Sequence, residues 1–244
     1  SAGVPEKATS GGRASGTLAG VMIRLTGVKK GYGGRTVLEI ARLEIPAGAQ
    51  RVITGASGSG KTTLLNLIGG LAVPDAGEVE VAGHPLHRLS EAERDRFRAR
   101  HVGFVFQTFN LLPGLTALEN VLLGMLFAGR PDRRRAEAVL ERMGLRDERG
   151  RLPGELSVGQ QQRVAIARAV VNGPQVLLAD EPTGNLDPRT GESIVALLKD
   201  VCRETGATLV LVTHQPHVVE RFKDAVDLSC ISGPWSGATS PAGA

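Results

Sequence analysis

A glycine-rich segment in the first third of the chain has the residue types needed to hold phosphate. It reads Gly55-Ala56-Ser57-Gly58-Ser59-Gly60-Lys61-Thr62 and fits the pattern G-x-x-x-x-G-K-[ST]. Glycines let the backbone curl until its N–H groups point at phosphate oxygens, and the start of the following helix adds a favourable dipole. In such loops the lysine reaches the β and γ phosphates, while the threonine hydroxyl binds Mg²⁺. The segment, together with Thr63, therefore predicts a nucleotide site with Lys61 on the phosphates and Thr62 on the metal.

Two adjacent acidic residues further along the chain complete this chemistry. Asp180 and Glu181 follow four apolar residues at 176–179, which predict a buried strand. Ligands of parallel sheets bind at the carboxyl ends of strands, so we expect this strand to lie beside the one that enters the glycine-rich loop. Asp180 is then predicted to hold Mg²⁺, and Glu181 to act as the general base that activates water for attack on the γ-phosphate.

The elements that position these residues alternate between strands and helices. Strand patterns occur at 21–26, 37–43, 50–54, 78–81, 102–106, 176–179 and 208–212, and helix patterns at 60–68, 91–100, 117–127, 133–143, 158–171, 189–204 and 217–223. Strands separated by helices imply a largely parallel sheet covered on both faces. The predicted fold is therefore α/β, a P-loop NTPase core with a mainly parallel sheet, an antiparallel β subdomain at the front and an inserted α-helical subdomain at about 108–172.

The ends of the chain differ in composition from the rest. Residues 1–20 are rich in Gly, Ser and Ala and lack apolar periodicity, and residues 232–244 have the same character. We expect a disordered leader at 1–20, a single ATPase domain at 21–231 and a flexible tail at 232–244.

Composition narrows the possible environments of the protein. Of the 244 residues 41% are hydrophobic, enough for a sizeable core, and the two cysteines are too few for a disulfide framework or a cysteine metal site. No uninterrupted apolar run is long enough to span a membrane, so we expect a cytoplasmic chain. The formal net charge is +4, with arginine clusters at 94–100 and 130–135. These clusters indicate either a solvated helix face or contact with an anionic partner.

One further motif makes the assignment specific. It begins at Leu156 and reads Leu156-Ser157-Val158-Gly159-Gln160-Gln161-Gln162-Arg163-Val164-Ala165-Ile166-Ala167-Arg168-Ala169. This segment resembles the signature of ABC ATPases, which is usually LSGGQ followed by a basic and apolar helix. A serine at a helix N-cap with backbone N–H groups beside it favours an anion. The resemblance implies that Ser157, Gly159 and Gln160 bind the γ-phosphate side of an ATP held by a second copy of the chain, so that two ATP molecules lie between two subunits. Val158 departs from the pattern, since glycine usually stands there, and we expect function to be retained.

Other positions follow the order of the same family over nearly all of 22–224. The resemblance implies that Gln107 contacts Mg²⁺ or the attacking water, that His214 supports Glu181 and the γ-phosphate, that Tyr32 stacks on adenine, and that Asp187 belongs to a loop that crosses the dimer interface. It thereby implies Glu181, His214 and Gln107 as catalytic residues, and ATP with Mg²⁺ as the ligands.

Two longer segments, 107–121 and 180–187, resemble the bacterial branch that contains lipoprotein-release, macrolide-export and cell-division ATPases. In that branch the ATPase works with an integral membrane permease on the cytoplasmic face of the inner membrane, and no nucleic acid is expected. Apolar residues at helical spacing either receive a coupling helix of this partner or pack in the core: Leu115, Leu118, Val121, Leu122, Met125 and Leu126.

Two points limit this assignment. Residues 225–233 lack the basic apolar strand and turn that usually close the branch, so a frayed end is expected after Asp224. The alternative function is a soluble ABC-type ATPase acting on a nucleic-acid or ribosomal partner. Such proteins usually carry long coiled-coil arms, zinc modules or a second cassette, and the span from Gln107 to Ser157 holds neither arms nor zinc modules.

Overall fold

A computed structural model of the chain describes residues 20–129 and 131–232. The predicted leader, apart from Gly20, and the predicted tail, apart from Ser232, lie outside the described residues. The strands are β1 (Val21–Tyr32), β2 (Arg35–Pro46), β3 (Gln50–Thr54), β4 (Ala76–Val81), β5 (His84–Pro85), β6 (Val102–Val105), β7 (Val176–Asp180), β8 (Thr208–Val212) and β9 (Asp224–Asp227). The helices are α1 (Lys61–Ile68), α2 (Glu91–His101), α3 (Ala117–Leu123), α4 (Arg133–Arg142), α5 (Val158–Val170), α6 (Pro188–Thr205), α7 (Pro216–Val219) and α8 (Leu228–Ile231).

These strands form two sheets of different kinds. The antiparallel sheet has the order β2-β1-β4-β5, and the other sheet, in the order β6-β7-β8-β3-β9, is parallel throughout. Helices α3 to α5 lie between β6 and β7 in the chain and make up the inserted helical part. The predicted α/β class with its antiparallel and helical subdomains is confirmed.

The parallel sheet is buried on both faces. Successive side chains of a strand point to opposite faces, and here both sets are apolar. Leu209 and Leu211 of β8 pack in the core that includes α5 and α6, whereas Val210 and Val212 pack in the core formed with α1 and the antiparallel sheet. The continuous apolar runs of these strands follow from this double covering.

Two predictions about the sheet are wrong. The strand that ends at Asp180 does not lie beside the loop strand β3, because β8 pairs with both β3 and β7 and separates them. The chain after Asp224 is also not frayed within the described residues. Residues 224–227 form β9 on the outer side of β3, and Leu228 is fully buried against the same core. Partial apolar character is sufficient for such an edge strand, since β3 supplies the hydrogen-bond partners.

The apolar residues of the helical insertion divide between core and surface. Leu118, Val121 and Met125 are buried in the core, whereas Leu126 is half exposed and Phe127 is 83% exposed. Core packing therefore accounts for most of the apolar residues predicted at helical spacing. Leu126 and the following Phe127 instead lie on the surface. None of the described helices has the length and apolar character that a bilayer crossing demands.

The two cysteines test the packing of α6 and of the closing helix. Cys202 is buried, and burial raises its pKa to about 12, whereas Cys230 is exposed. The thiolate is the form that attacks a disulfide reagent, so we expect such a reagent at pH 8 to label one thiol quickly in the folded chain and both in denaturant. Cys230→Ser should remove the fast reaction. Two rapidly reacting thiols in the native protein would contradict this packing.

Candidate active site

The glycine-rich segment forms a tight loop between β3 and α1. Gly60 has a φ of 96°, and a Cβ atom there would come within 2.9 Å of the Val37 carbonyl oxygen, so both the conformation and the space require glycine. The Lys61 ammonium is nearly buried and donates to the carbonyl oxygens of Gly55 at 2.8 Å and Ala56 at 2.9 Å. The loop thus folds around its own lysine, with the N-terminus of α1 beneath it.

The carboxylate at the end of β7 meets the hydroxyl at the start of α1. Thr62 Oγ1 donates to Asp180 Oδ2 at 2.9 Å. Burial raises the pKa of the Asp180 carboxyl, and the nearby charge of Glu181 raises it further, against the opposing hydrogen bond from Thr62. A raised carboxyl pKa means that this group weakens the fold as pH rises through its titration range. A cation bound to Asp180 would offset that cost.

The Glu181 carboxylate is held by three hydrogen-bonding groups of the two residues that follow β8. Thr213 Oγ1 donates to Glu181 Oε2 at 2.8 Å, the His214 backbone N–H donates to Oε1 at 3.1 Å, and His214 Nδ1 lies 2.6 Å from Oε1. The residue is only 8% exposed. This arrangement fixes the carboxylate while leaving it at the wall of the site.

The backbone of Glu181 is strained. Its φ of 44° lies in the left-handed region, which is costly for a non-glycine residue, and the following Pro182 restricts it further. The Glu181 N–H donates to the Val212 carbonyl oxygen at 3.0 Å, and the Gly184 N–H donates to the Glu181 carbonyl oxygen at 3.0 Å. Such strain persists only where surrounding contacts hold it, and it is found most often at functional sites.

A cavity of about 530 Å³ joins these groups. It is lined by Val37, Ser57, Gly58, Gly60, Lys61, Thr62, Thr63, Gln107, Asp180, Glu181 and His214. Ten of these residues were predicted from the sequence as site residues. Val37 was missed, because an apolar residue in a strand has no chemical signal. Thr213, behind Glu181, was also missed, although a polar residue ending an apolar strand beside His214 is a usable signal.

The other predicted residues lie elsewhere among the described residues. Gly55, Ala56 and Ser59 build the loop without lining the cavity, and Tyr32 is half exposed at the end of β1 with the Lys30 ammonium 5.4 Å from its ring centre. Ser157, Gly159, Gln160 and Asp187 also do not line the cavity. The chain therefore carries two separate groups of predicted nucleotide-binding residues.

Ser157 is the N-cap of α5, as predicted. Its Oγ accepts from the Gln160 N–H at 3.2 Å, and the Ser157 N–H donates to Gln160 Oε1 at 2.9 Å. This capping box uses the serine oxygen as an acceptor only, so its O–H remains a donor for a ligand. Val158 is 46% exposed at the first helical position, and a Cβ atom at Gly159 would come within 2.8 Å of Thr190 Cγ2 on α6.

Asp187 and Gln107 bring the neighbouring loops together. Asp187 is the N-cap of α6 and accepts from the N–H groups of Arg189 and Thr190 at 3.1 Å, and hydrogen bonding to Thr190 lowers its pKa. The Gln107 carbonyl oxygen accepts from Asn185 Nδ2 at 3.0 Å. The loop after β6 is thus tied to the loop that follows Glu181.

The donor set fits magnesium. A threonine hydroxyl, a carboxylate and an amide oxygen are hard ligands, and Mg²⁺ binds through one or two carboxylates while keeping waters and phosphate oxygens. Within residues 20–129 and 131–232 there is no cluster of three or more His, Cys, Asp or Glu residues suited to a metal. Thr62, Asp180 and Gln107 therefore suit a cation that arrives with a phosphate ligand.

A model of the ABC transporter family matches residues 38–184, which include the glycine-rich loop, the α5 motif and the Asp180–Glu181 pair. The chain belongs to the ABC transporter family. With this site geometry it is an ABC-type ATPase and an ATP-binding subunit of an ABC transporter.

Relatives within the family align with more than four fifths of the chain. The chain is 46% identical over 204 residues to the lipoprotein-releasing system ATP-binding protein LolD of Paramagnetospirillum magneticum, covering 82% of this chain and 90% of the relative. It is 45% identical to the macrolide export ATP-binding/permease protein MacB of Escherichia coli, covering 85% of this chain but only 33% of MacB. The ABC transporter chain thus spans about a third of MacB. The dimeric structure of the bacterial ABC transporter cassette MJ0796 is similar with a TM-score of 0.77 at 41% identity, covering 89% of this chain and all of that one.

Thr213 provides a test of how Glu181 is held. Thr213→Val keeps the buried shape and removes the donor to Glu181, so we expect kcat for ATP hydrolysis to fall about tenfold, equivalent to about 1.4 kcal/mol in the barrier. The affinity for ATP should stay the same, because Thr213 does not line the cavity. Thr208→Val is the matched control, since Thr208 is equally buried at the opposite end of β8 and accepts from the Gly48 N–H. An equal loss of kcat in both variants would contradict a specific role of Thr213.

Proposed function

We propose that this subunit binds ATP with Mg²⁺ between its own glycine-rich loop and Ser157 of a second copy, hydrolyses ATP, and uses the closing and opening of this dimer to drive an integral membrane permease. The transport step is export, lipoprotein release or transmission of force across the inner membrane. The subunit then acts as a peripheral protein on the cytoplasmic face of that membrane.

One observation carries the hydrolytic part of this proposal. The Glu181 carboxylate, held by Thr213 and His214, lines the same cavity as Lys61 and Thr62. A fixed carboxylate beside a phosphate cradle is suited to orient and deprotonate a water molecule. His214 lines the same cavity, which supports a role in stabilising the developing charge on the γ-phosphate. Mg²⁺, when bound with ATP, supplies charge neutralisation of the phosphates, and Thr62, Asp180 and Gln107 would hold it.

A second copy of the chain is proposed because the two groups of predicted nucleotide-binding residues lie apart within one chain. Ser157 caps the exposed start of α5 with its O–H available, but it does not line the cavity that contains Lys61. A head-to-tail pair would bring Ser157 of each copy to the cavity of the other. The dimeric structure of the MJ0796 cassette and its post-hydrolysis form bound to ADP and Pi support this arrangement.

The membrane partner is supported by a surface groove that combines charged and exposed apolar side chains. A groove of about 500 Å³ between α2 and α3 is lined by Asp95, Arg96, Arg98, Ala99, Leu123, Gly124 and Phe127. Phe127 is 83% exposed and the adjacent Leu126 is 51% exposed, and contiguous exposed apolar side chains are typical of interaction sites. We propose that a cytoplasmic helix of the permease binds here. The names of LolD and MacB refer to lipoprotein release and macrolide export, which supports this branch over a nucleic-acid or ribosomal partner.

Glu181→Gln tests the proposed base. The amide keeps the size of the side chain but cannot accept a proton, so we expect kcat to fall at least about a hundredfold while ATP still binds and the dimer accumulates. Dimer formation is read by light scattering after gel filtration with Mg²⁺ and ATP. Lys61→Ala is the companion variant, which should lose ATP binding and therefore dimerisation. Normal turnover by the Glu181→Gln protein would exclude Glu181 as the base.

Phe127→Asp tests the proposed permease surface. Replacing the aromatic ring by a carboxylate should abolish copurification of an integral membrane protein from detergent-solubilised membranes, since the partner's apolar residues would lose their apolar contact and face a charge. The ATPase rate of the isolated subunit should remain within about twofold, because Phe127 does not line the cavity that holds the catalytic residues.

Leu152→Asp is the matched control for this experiment. Leu152 is also exposed, at 40%, but does not line the groove. Equal retention of the membrane protein by both variants would reject this surface, and capture of RNA or ribosomal proteins instead of a membrane protein would reject the transporter role.

A further inference from the structure

A buried glutamine connects the helix that begins at Ser157 with the turn that carries Glu181. Gln162 lies on α5, five residues after Ser157, and is fully buried. Its Nε2 donates to the Pro182 carbonyl oxygen at 2.7 Å. Pro182 directly follows the strained Glu181. One side chain therefore joins the two halves of the predicted chemistry within the same chain.

Stability alone does not account for this glutamine. The Gln162 Oε1 is buried and accepts no hydrogen bond from the residues that the structure describes. An unsatisfied buried amide oxygen destabilises the fold, because it loses its hydrogen bonds to water without gaining others. The buried residues that follow it on α5 are apolar: Val164, Ala165, Ile166 and Ala167. A buried amide whose oxygen has no partner requires an explanation. We look for it in the hydrogen bond that its Nε2 makes to Pro182.

The satisfied half restrains the turn that holds Glu181. The left-handed φ of Glu181 is costly for a non-glycine residue, and the following proline disfavours it further. The backbone bonds to Val212 and Gly184 and the carboxylate bonds to Thr213 and His214 act on Glu181 itself. Gln162 acts on the next residue, and it is attached to a rigid helix. A displacement of α5 along or about its axis would therefore be felt at Glu181.

We propose that Gln162 is a positioning residue that couples the two ATP sites of the dimer. This inference rests on the proposed function. In that dimer Ser157 contacts the ATP held by the partner, whereas Glu181 acts on the ATP held by its own loop. The distance along α5 from Ser157 to Gln162 is about 7.5 Å, little more than one helical turn, so the helix transmits a shift without bending. Binding of γ-phosphate at one site then sets the Glu181 turn at the other site.

The thermodynamic consequence is cooperativity. Coupling between two sites is a free energy, and it appears as a Hill coefficient above one for ATP hydrolysis. Removing the Gln162 donor should remove part of this coupling and lower kcat. It should not change the affinity of a single chain for ATP, since Gln162 does not line the cavity.

Gln162→Met is the variant that isolates this contact. Methionine keeps the unbranched shape and removes both the donor and the unsatisfied oxygen, so the fold should be retained. Gln161→Met is the matched control, because Gln161 is the adjacent glutamine of the same helix and donates instead to the Leu156 carbonyl oxygen at 3.1 Å. Gln162→Leu is a second apolar variant of similar volume, in case the methionine variant does not fold.

The measurements are the ATP dependence of hydrolysis by the full chain, the Kd for ATP of the isolated chain, and the thermal unfolding midpoint. For Gln162→Met we expect kcat to fall about tenfold, the Hill coefficient to fall toward 1, and Kd to stay within about twofold. Gln161→Met should match the unmodified protein in all three.

An unchanged Hill coefficient in a folded Gln162 variant would overturn the inference, whatever its kcat. Loss of cooperativity in the Gln161 control to the same extent would also overturn it, because the effect would then belong to the helix and not to the contact with Pro182. A different result marks failure of the proposed function itself: the unmodified chain would show no ATP hydrolysis, or hydrolysis without dimerisation, and the inference would fall with it.

Discussion

Parallel pairing of β8 with both β3 and β7 is the constraint on which the rest of the structure depends. It brings the carboxyl ends of three strands to one edge of the sheet, where Thr54 leads into the phosphate loop and Asp180 and Thr213 emerge side by side. No single local motif contains this arrangement. The pairing also explains why no residue within β8 lines the cavity, since both faces and both edges of this strand are covered.

At this edge of the sheet several residues have buried charges or a strained backbone. Lys61 is nearly buried with only carbonyl oxygens as partners, the Asp180 carboxyl has a raised pKa, and Glu181 occupies a left-handed conformation before a proline. The Lys61 ammonium and the Asp180 carboxyl are complementary to phosphates and a divalent cation, and the strained turn holds the Glu181 carboxylate beside them. The site is thus organised for a highly charged ligand, because its unpaired charges and strained backbone are complementary to one.

Polar contacts connect the loops that carry the separate groups of predicted site residues. Gln107 is tied to Asn185, Arg168 of α5 donates to the carbonyl oxygens of Phe109 and Asn110, and Gln162 donates to Pro182. These bonds join the loop after β6, the helix α5 and the turn at Glu181 into one connected unit. The exposed surface around Phe127 lies directly after α3, which packs on α5. A partner bound at that surface is therefore linked through few contacts to the turn that carries Glu181.

The sequence by itself determined the local chemistry and most of the elements. The loop from Gly55 to Thr62, the pair Asp180–Glu181 and the capping pattern at Ser157 are local features, because phosphate cradles, strand ends and helix caps depend on residues close in the chain. Periodicity placed most helices and strands within a few residues, and the α/β class followed from their alternation. Eight of the residues that line the cavity were found from these local features, whereas Gln107 and His214 were predicted from the family resemblance.

Only the tertiary structure decided the order of strands, the edge strand β9 and the residues behind the site. Hydrogen bonding between strands has no sequence code beyond apolar character, so nothing in the chain revealed that β8 separates β3 from β7. Thr213 and Gln162 were likewise not identified, since their importance arises from contacts with Glu181 and Pro182, which are 32 and 20 positions away in the sequence. Local interactions depend on residues that are close in the sequence, whereas contacts between distant segments exist only once the chain has packed.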